Sequence, residues 1–399
     1  MATKTTAWHP GTVVSATVGF PTSEYQARLA RAQVQMARAG ISALMLSTEA
    51  DFRYFTGYLT RFWQSPTRPW YLIVPVCGDP VAVIPTIGLA LMQRTWISDI
   101  RTWLSPAPAD DGVTLLGETL AELTGHGGRV GVPMGPQTHL RMPLLDWNLL
   151  VETRKDLIFT GDDQIVDRLR SIKSEAEIGK IRSACEIANR AFARVPEIAS
   201  PGVPLDLVFR RFQMLCLEEG ADWVPYLAGA SERGGYHDVI SPAGPEPLQQ
   251  GDVLMLDTGL VLDGYFCDFD RNFSIGRPSR IVCGAYERLI DAVDAAAAMA
   301  IPGATAADLF HAMDAITGAG PEAGRLGHGV GMQLTEGLSI IPTDHTPLEP
   351  GMVLALEPGI QVSSGKIMVH EENIVVRDTF CEFLSNRSGR DIVVLGADR

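Results

Sequence analysis

The sequence predicts two domains, an α/β unit over residues 1–163 and a second unit over 164–399 that mixes helices with β-strands. Three observations carry that expectation. A chain of 399 residues is longer than one hydrophobic core usually organises. In the first part, short apolar runs alternate with helical periodicity, as in α/β units. In the second, the stretch Val253–Ile275, VLMLDTGLVLDGYFCDFDRNFSI, reads as a hairpin that sets Asp257, Asp268 and Asp270 on one face.

The elements of the first part follow in order. From Ser23 to Ala39 the apolar positions Tyr25, Leu29, Ala32, Val34 and Met36 keep helical spacing, and Gly40 closes the helix. Ile41–Leu46 then reads as a buried strand, followed by strands at Trp70–Val76 and Val81–Ile87 around a CGDP turn. Gly131 starts another short segment, and Leu149–Phe159 leads out of the domain. Between the first strands lies Tyr54–Trp70, with Arg61, Phe62, Trp63, Arg68 and Trp70 in one Pro-containing loop. Its aromatics either cover a strand edge or belong to a substrate-gripping or dimer-forming loop, since Arg and Trp suit such anchors.

Composition excludes several classes. Hydrophobic residues at 46% and charged residues at 20% are ordinary for a soluble globular protein. The net charge of −14, with no Lys/Arg run, argues against a nucleic-acid partner. The six cysteines are scattered without a CxxC pair, which suits reduced thiols in the cytoplasm. The start, MATKTTAWHPG, lacks an apolar leader, and no run approaches the ~18 apolar residues needed to span a membrane.

The second part opens at Ser174-Glu175-Ala176-Glu177, a capping box for a helix running through Ile178, Ile181, Ala184, Cys185, Ala188 and Phe192. A further helix is expected over Leu205–Glu219, then a polar, Gly-rich loop over Gly220–Pro245 that carries His237. After the hairpin come helices at Tyr286–Ala300 and Ala306–Ile316. Three short motifs follow: Gly327-His328-Gly329, Glu357-Pro358-Gly359 and the strand Met368–Val376 with Glu371 and Glu372 at its centre.

The hairpin holds the chemistry. Asp263-Gly264 suits a two-residue type I′ turn, which sets Leu262 against Tyr265, Gly259 against Asp268 and Asp257 against Asp270. Asp257, Asp268 and Asp270 then share one face among Leu, Val, Phe and Met. Like carboxylates in a dry site cannot all ionise without cations. Several carboxylates and one imidazole in apolar or Gly-rich strand settings suit Mn, Fe, Co or Zn, and the ligand count fits two bridged ions.

Taken together, D-x-G, an Asp eleven residues on, G-H-G, E-P-G and a final strand Glu resemble the M24 pita-bread metallohydrolases. These include Xaa-Pro aminopeptidases, prolidases, methionine aminopeptidases and creatinase. The resemblance implies a creatinase/prolidase-type N-terminal domain followed by an α+β pita-bread catalytic domain. It implies two divalent metal ions on Asp257, Asp268, His328, Glu357 and Glu371, the last chosen by aligning EENIVV with the family's E-D-T-V-L-V. His237 resembles the family histidine that bonds substrate or shuttles a proton. The implied activity is amide hydrolysis of an Xaa-Pro peptide by a metal-bridging hydroxide.

Two departures stand out. Thr335 occupies the place of the second histidine of the peptidases' V-H-E triplet. The family's D-x-T-R reads Asp268-Phe269-Asp270-Arg271, where Asp270 is a neighbouring acceptor, a substitute ligand or a partner of Arg271. Thr335 favours a relative acting on a small metabolite, through creatinase-like C–N hydrolysis or, less closely, dimethylsulfoniopropionate lysis. A binding protein on an inactive fold would be expected to lack some of the five ligands. The family resemblance also implies a homodimer in which Arg61, Phe62, Trp63 or Arg68 reaches the partner's site.

Overall fold

The computed structural model of the protein describes residues 19–65, 68–318, 320 and 323–396. The N-terminal segment read above for a leader lies outside the described residues. The chain divides into two units, the first extending to Arg170 and the second beginning at Ser171.

The first unit is a six-stranded mixed sheet with helices. Helix α1 (Thr22–Ala39) ends on Gly40 in the left-handed conformation at φ 66°. It buries Tyr25, Leu29, Ala32 and Met36, one stripe at three- and four-residue spacing. Val34 falls off that stripe and is 52% exposed, so it belongs to the outer face. Next come β1 (Ala43–Leu46), α2 (Glu49–Thr56), β2 (Tyr71–Pro75), β3 (Val81–Pro85), α3 (Leu89–Met92) and β4 (Asp99–Trp103). The unit is completed by α4 (Val113–Thr124), β5 (Arg129–Val132), α5 (Leu144–Thr153), β6 (Ile158–Gly161) and α6 (Ile165–Ser171). The sheet order is β4-β3-β2-β1-β5-β6.

Tyr54–Thr56 is the end of α2 and not part of a loop. Trp63 and Trp70 are 7% and 1% exposed; Trp63 packs on Phe52 and Trp70, and Trp70 on Tyr58. Both tryptophans are therefore packed within the unit, which suits the reading of the loop's aromatics as a cover for the strands. Arg61 is exposed, while the Arg68 guanidinium lies 5.4 Å from the Phe62 ring centre. Arg170 closes the unit through a buried ion pair with Asp51 at 2.7 Å.

The second unit starts with α7 (Glu175–Ala193), whose capping box by Ser174 and Glu177 forms as expected, and α8 (Leu205–Glu218). Where the sequence reads as a polar loop, the structure has β7 (Trp223–Arg233), paired along β8 (Asp252–Leu262). Pro225 and Gly229 obscure the strand; a side chain at Gly229 would lie 2.1 Å from the Met255 carbonyl, so glycine permits the close pairing. Strands β9 (Tyr265–Phe266) and β10 (Phe269–Ile275) complete the hairpin.

Helix α9 (Arg280–Met299) begins earlier than its apolar periodicity suggests, because Ser279 caps it. Helix α10 (Ala306–Thr317) follows. The remaining strands are β11 (Gly327–Gly329), β12 (Glu336–Ser339), β13 (Val353–Leu356), β14 (Gly359–Ser363), β15 (Lys366–Val369), β16 (Glu372–Val376), β17 (Cys381–Phe383) and β18 (Val393–Leu395). They form the sheets β18-β10-β8-β7 (with β9 on β8), β12-β11-β13-β16-β17 and β14-β15. Helices α9 and α10 bury Val293, Ala296, Leu309, Phe310 and Met313 against Leu354, Leu356 and Ile374 of the second sheet. That apolar backing supports the strands that carry the acidic residues.

Candidate metal centre

The hairpin turn sets the register on which everything else depends. Asp263 and Gly264 both have positive φ, 46° and 76°, as a type I′ turn requires, and Lys180 pairs with the Asp263 carboxylate. Leu262 pairs with Tyr265 and Asp257 with Asp270, as read from the sequence. Asp257 and Asp270 thus face the same side, with Asp268 just before β10.

A second sheet supplies the other groups. Strand β11 pairs with β13, setting His328 opposite Ala355. Strand β13 pairs with β16, setting Leu356 opposite Glu372, so Glu357 and Glu371 emerge together one residue beyond that pair. Glycine is needed at 327: its φ is 136°, and a Cβ there would lie 2.1 Å from the Ala355 carbonyl.

Two residues stitch the sheets together. The Asn373 side chain accepts from the Asp268 amide at 2.8 Å and donates to the Asp268 carbonyl at 2.5 Å. Asp270 Oδ1 accepts from the Glu371 amide at 2.9 Å. Asp268, His328 and Glu371 each offer a ligand atom within 4.8 Å of the others, and all three are buried. Asp257 and Glu357 are not in that tight group but are electrostatically coupled to it.

The electrostatics fit cations. Burial, then repulsion from neighbouring carboxylates, pushes Asp257, Asp268 and Glu371 well above the usual carboxylate range. Burial, then Asp270, raises Glu357 to about 7. Asp257 Oδ1 and Glu371 Oε1 are buried with no hydrogen-bond partner. Such orphaned acceptors cost free energy unless something positive meets them. His328 Nδ1 lies 3.0 Å from the Gly329 carbonyl, which fixes the proton there and leaves Nε2 as the lone-pair donor, 3.3 Å from Asp268. Burial and then Arg325 lower its pKa to about 4, so the ring is neutral at pH 7. Four carboxylates and a neutral imidazole make a donor set for divalent ions.

Around this group lie residues that sequence reasoning passed over. Tyr226 on β7 sits against Asp257, and burial together with that charge raises its phenol. Arg325 donates from Nη2 to Thr335 Oγ1 at 3.2 Å, and its charge is felt by Asp268, His328 and Glu357. His370, fully buried, stands between Asp270 and Glu372, 3.2 and 3.3 Å from their carboxylates. Burial lowers its pKa, and the two carboxylates outweigh that and hold it above the ordinary value. Arg271 pairs with Glu372 at 3.0 Å, and its contact with Asp270 is to the backbone carbonyl. Glu372, held down to about 2 against its burial by Arg271 and His370, is therefore occupied elsewhere, and Glu371 alone turns to the cluster.

His237 is not gathered with the ligands. Its side chain is 54% exposed, with Nδ1 2.6 Å from Glu232, beside Gly365 at the β14–β15 turn.

Comparisons with known proteins agree with this arrangement. Residues 179–378 match the model of metallopeptidase family M24, and residues 28–172 match the creatinase/prolidase N-terminal domain. The probable dipeptidase PepE of Mycobacterium tuberculosis is 29% identical over 372 residues, covering 90% of this chain and 93% of its own. The uncharacterized peptidase YqhT of Bacillus subtilis is 29% identical over 369 residues, 89% of this chain and 96% of its own. The crystal structure of dipeptidase PepE from Mycobacterium ulcerans superposes with a TM-score of 0.82 at 27% identity, covering 95% of this chain and 100% of that one. Recombinant prolidase from Thermococcus sibiricus shares the fold, with a TM-score of 0.81 at 23% identity, covering 93% and 99%. With the matched model spanning half of the chain and its carboxylate–imidazole cluster formed, this protein belongs to metallopeptidase family M24.

Proposed function

We propose that the protein is a dipeptidase of the Xaa-Pro type that works with two divalent ions. The observation that carries this reading is the convergence of Asp268, His328 and Glu371, with Asp257 and Glu357 coupled to them, in one buried cluster. Ions bound there would polarise a carbonyl and lower the pKa of a water molecule. The carboxylates hold them, the Gly329 carbonyl keeps His328 in its ligating tautomer, and the apolar strands exclude bulk water. His237, exposed and fixed by Glu232, suits contact with the substrate rather than with the ions. The ion identity is open among Mn, Fe, Co and Zn, whose ligand preferences this donor set meets.

The names of the PepE relatives support a dipeptide as substrate. Thr335, in the place of the peptidases' second histidine, supports a second reading, hydrolysis of a small amide or guanidino compound. A panel of Xaa-Pro dipeptides, longer Xaa-Pro peptides, creatine and dimethylsulfoniopropionate, run with and without chelator, separates them. Turnover of dipeptides that chelation abolishes is the expected result. Trace rates on every Xaa-Pro peptide, with ready turnover of a small compound, would overturn the peptidase reading. Full activity after complete metal removal would overturn the metal reading.

We further propose a homodimer, with Arg61 and Arg68 as candidates to grip a substrate carboxylate bidentately. Arg61→Ala or Arg68→Ala should raise KM at unchanged metal content. A monomer by sedimentation, or wild-type KM in both variants, would remove that idea. All six cysteines are free, which supports a cytoplasmic setting. No helix among the described residues is long and apolar enough to cross a membrane.

A further inference from the structure

We propose that Asp270 is an additional metal-centre residue, positioned by the Glu371 amide and by buried His370. The proposal rests on reading the cluster as a divalent-metal centre and concerns residues beyond the five ligands. Asp270 stands directly opposite Asp257 in the β8–β10 ladder, on the face that carries the ligands, and is 1% exposed. Its Oδ1 is engaged, accepting from the Glu371 amide at 2.9 Å and lying 3.2 Å from His370 Nδ1. Its Oδ2 is buried with no hydrogen-bond partner. A carboxylate oxygen left bare in a dry site costs roughly 1–3 kcal/mol or more, so its position beside the ligand face points to an ion as its partner.

His370 packs against Asp270 Oδ1 at 3.2 Å, while Oδ2 is buried without a hydrogen-bond partner. Around His370, Glu372 on its Nε2 side pairs with Arg271 at 3.0 Å, the Tyr286 ring lies 5.8 Å away edge-on, and Asp294, paired with Arg387, lines the same small cavity. Ser385 and the Ser388 amide bond to Glu372 and leave Asp270 untouched. An apolar residue at 370 would remove the group that packs on Asp270 Oδ1, so His370 positions that carboxylate.

The test uses the full-length protein loaded with Mn or Co. Asp270→Asn keeps the shape and replaces one carboxylate oxygen, Asp270→Thr shortens the side chain, and His370→Leu removes the imidazole that packs on Asp270. Metal stoichiometry and affinity are read by chelator competition, ligand geometry by the visible absorption of the Co(II) form, and folding by the melting of the metal-free protein. Asp270→Asn and His370→Leu should each weaken binding of at least one ion by about 10-fold or more. Asp270→Asn should also change the Co(II) spectrum. Unchanged affinity and spectrum in Asp270→Asn would overturn the proposal. Should Asp270→Asn fail to fold, wild-type affinity and spectrum in Asp270→Thr would overturn it equally. Wild-type protein that binds no metal would instead defeat the underlying reading of the centre.

Discussion

At the scale of single residues, the substitution at Thr335 is answered by Arg325. Its guanidinium donates to the Thr335 hydroxyl, and its charge acts on Asp268, His328 and Glu357. A cation there is suited to a substrate carboxylate, and charge-assisted bonds of this type contribute roughly 1.5–3 kcal/mol. Arg325→Ala is therefore expected to raise KM for a free dipeptide by about 10- to 100-fold, and less for the C-terminal amide. Thr335→Val should give a smaller KM change in the same direction. Unaltered KM in Arg325→Ala would show that the guanidinium serves only the local fold.

At the scale of elements, what the sequence makes legible depends on how local the deciding interaction is. The hairpin register was readable because two adjacent residues, Asp263 and Gly264, determine it by their positive φ. The α7 start was readable for the same reason, since Ser174 and Glu177 cap each other within one turn. Strand β7 was not, because Pro225 and Gly229 look like loop residues until β8 is laid beside them. Helices α2, α4 and α5 and strand β4 were passed over within the first unit; α2 and β4 are only 8 and 5 residues long. Of the candidate site, Asp268, His328 and Glu371, which the structure brings together, could be picked out from motifs a few residues long. The groups that hold them could not. Asn373 grips Asp268 and His370 meets Asp270 across about a hundred intervening residues, through two sheets whose juxtaposition no local pattern announces. His370 lies within an apolar run, where the neighbouring pair Glu371-Glu372 draws attention first. For Trp63 composition left a strand cover and a grip both open, and burial against Phe52 and Trp70 favours the cover.

At the scale of the whole molecule, the clustered carboxylates tie stability to both metal and pH. In the metal-free protein Asp257, Asp268, Glu357 and Glu371 have raised pKa values, Glu357 to about 7. The folded state then binds more protons than the unfolded state from the ordinary carboxylate range up to about pH 7. Stability of the metal-free form must fall as pH rises through that window. Glu357 alone, raised from 4.5 to about 7, corresponds to roughly 3 kcal/mol. His328 acts the other way: with a folded pKa of about 4 against 6.5, it loses stability as pH falls between those values. One imidazole opposes four carboxylates, so the carboxylates decide the sign. Ions that replace those protons stabilise the fold most where the protons are least available. The difference in melting temperature between metal-loaded and chelated protein should therefore be small near pH 5 and grow to several degrees or more by pH 7.5. Calorimetric titration of metal into the chelated protein at pH 6, repeated in buffers of different ionisation enthalpy, should show net proton release on binding. A melting difference that stays constant from pH 5 to 7.5, with no proton release, would mean that the carboxylates are already ionised without metal and that the buried cluster does not couple folding to the ions.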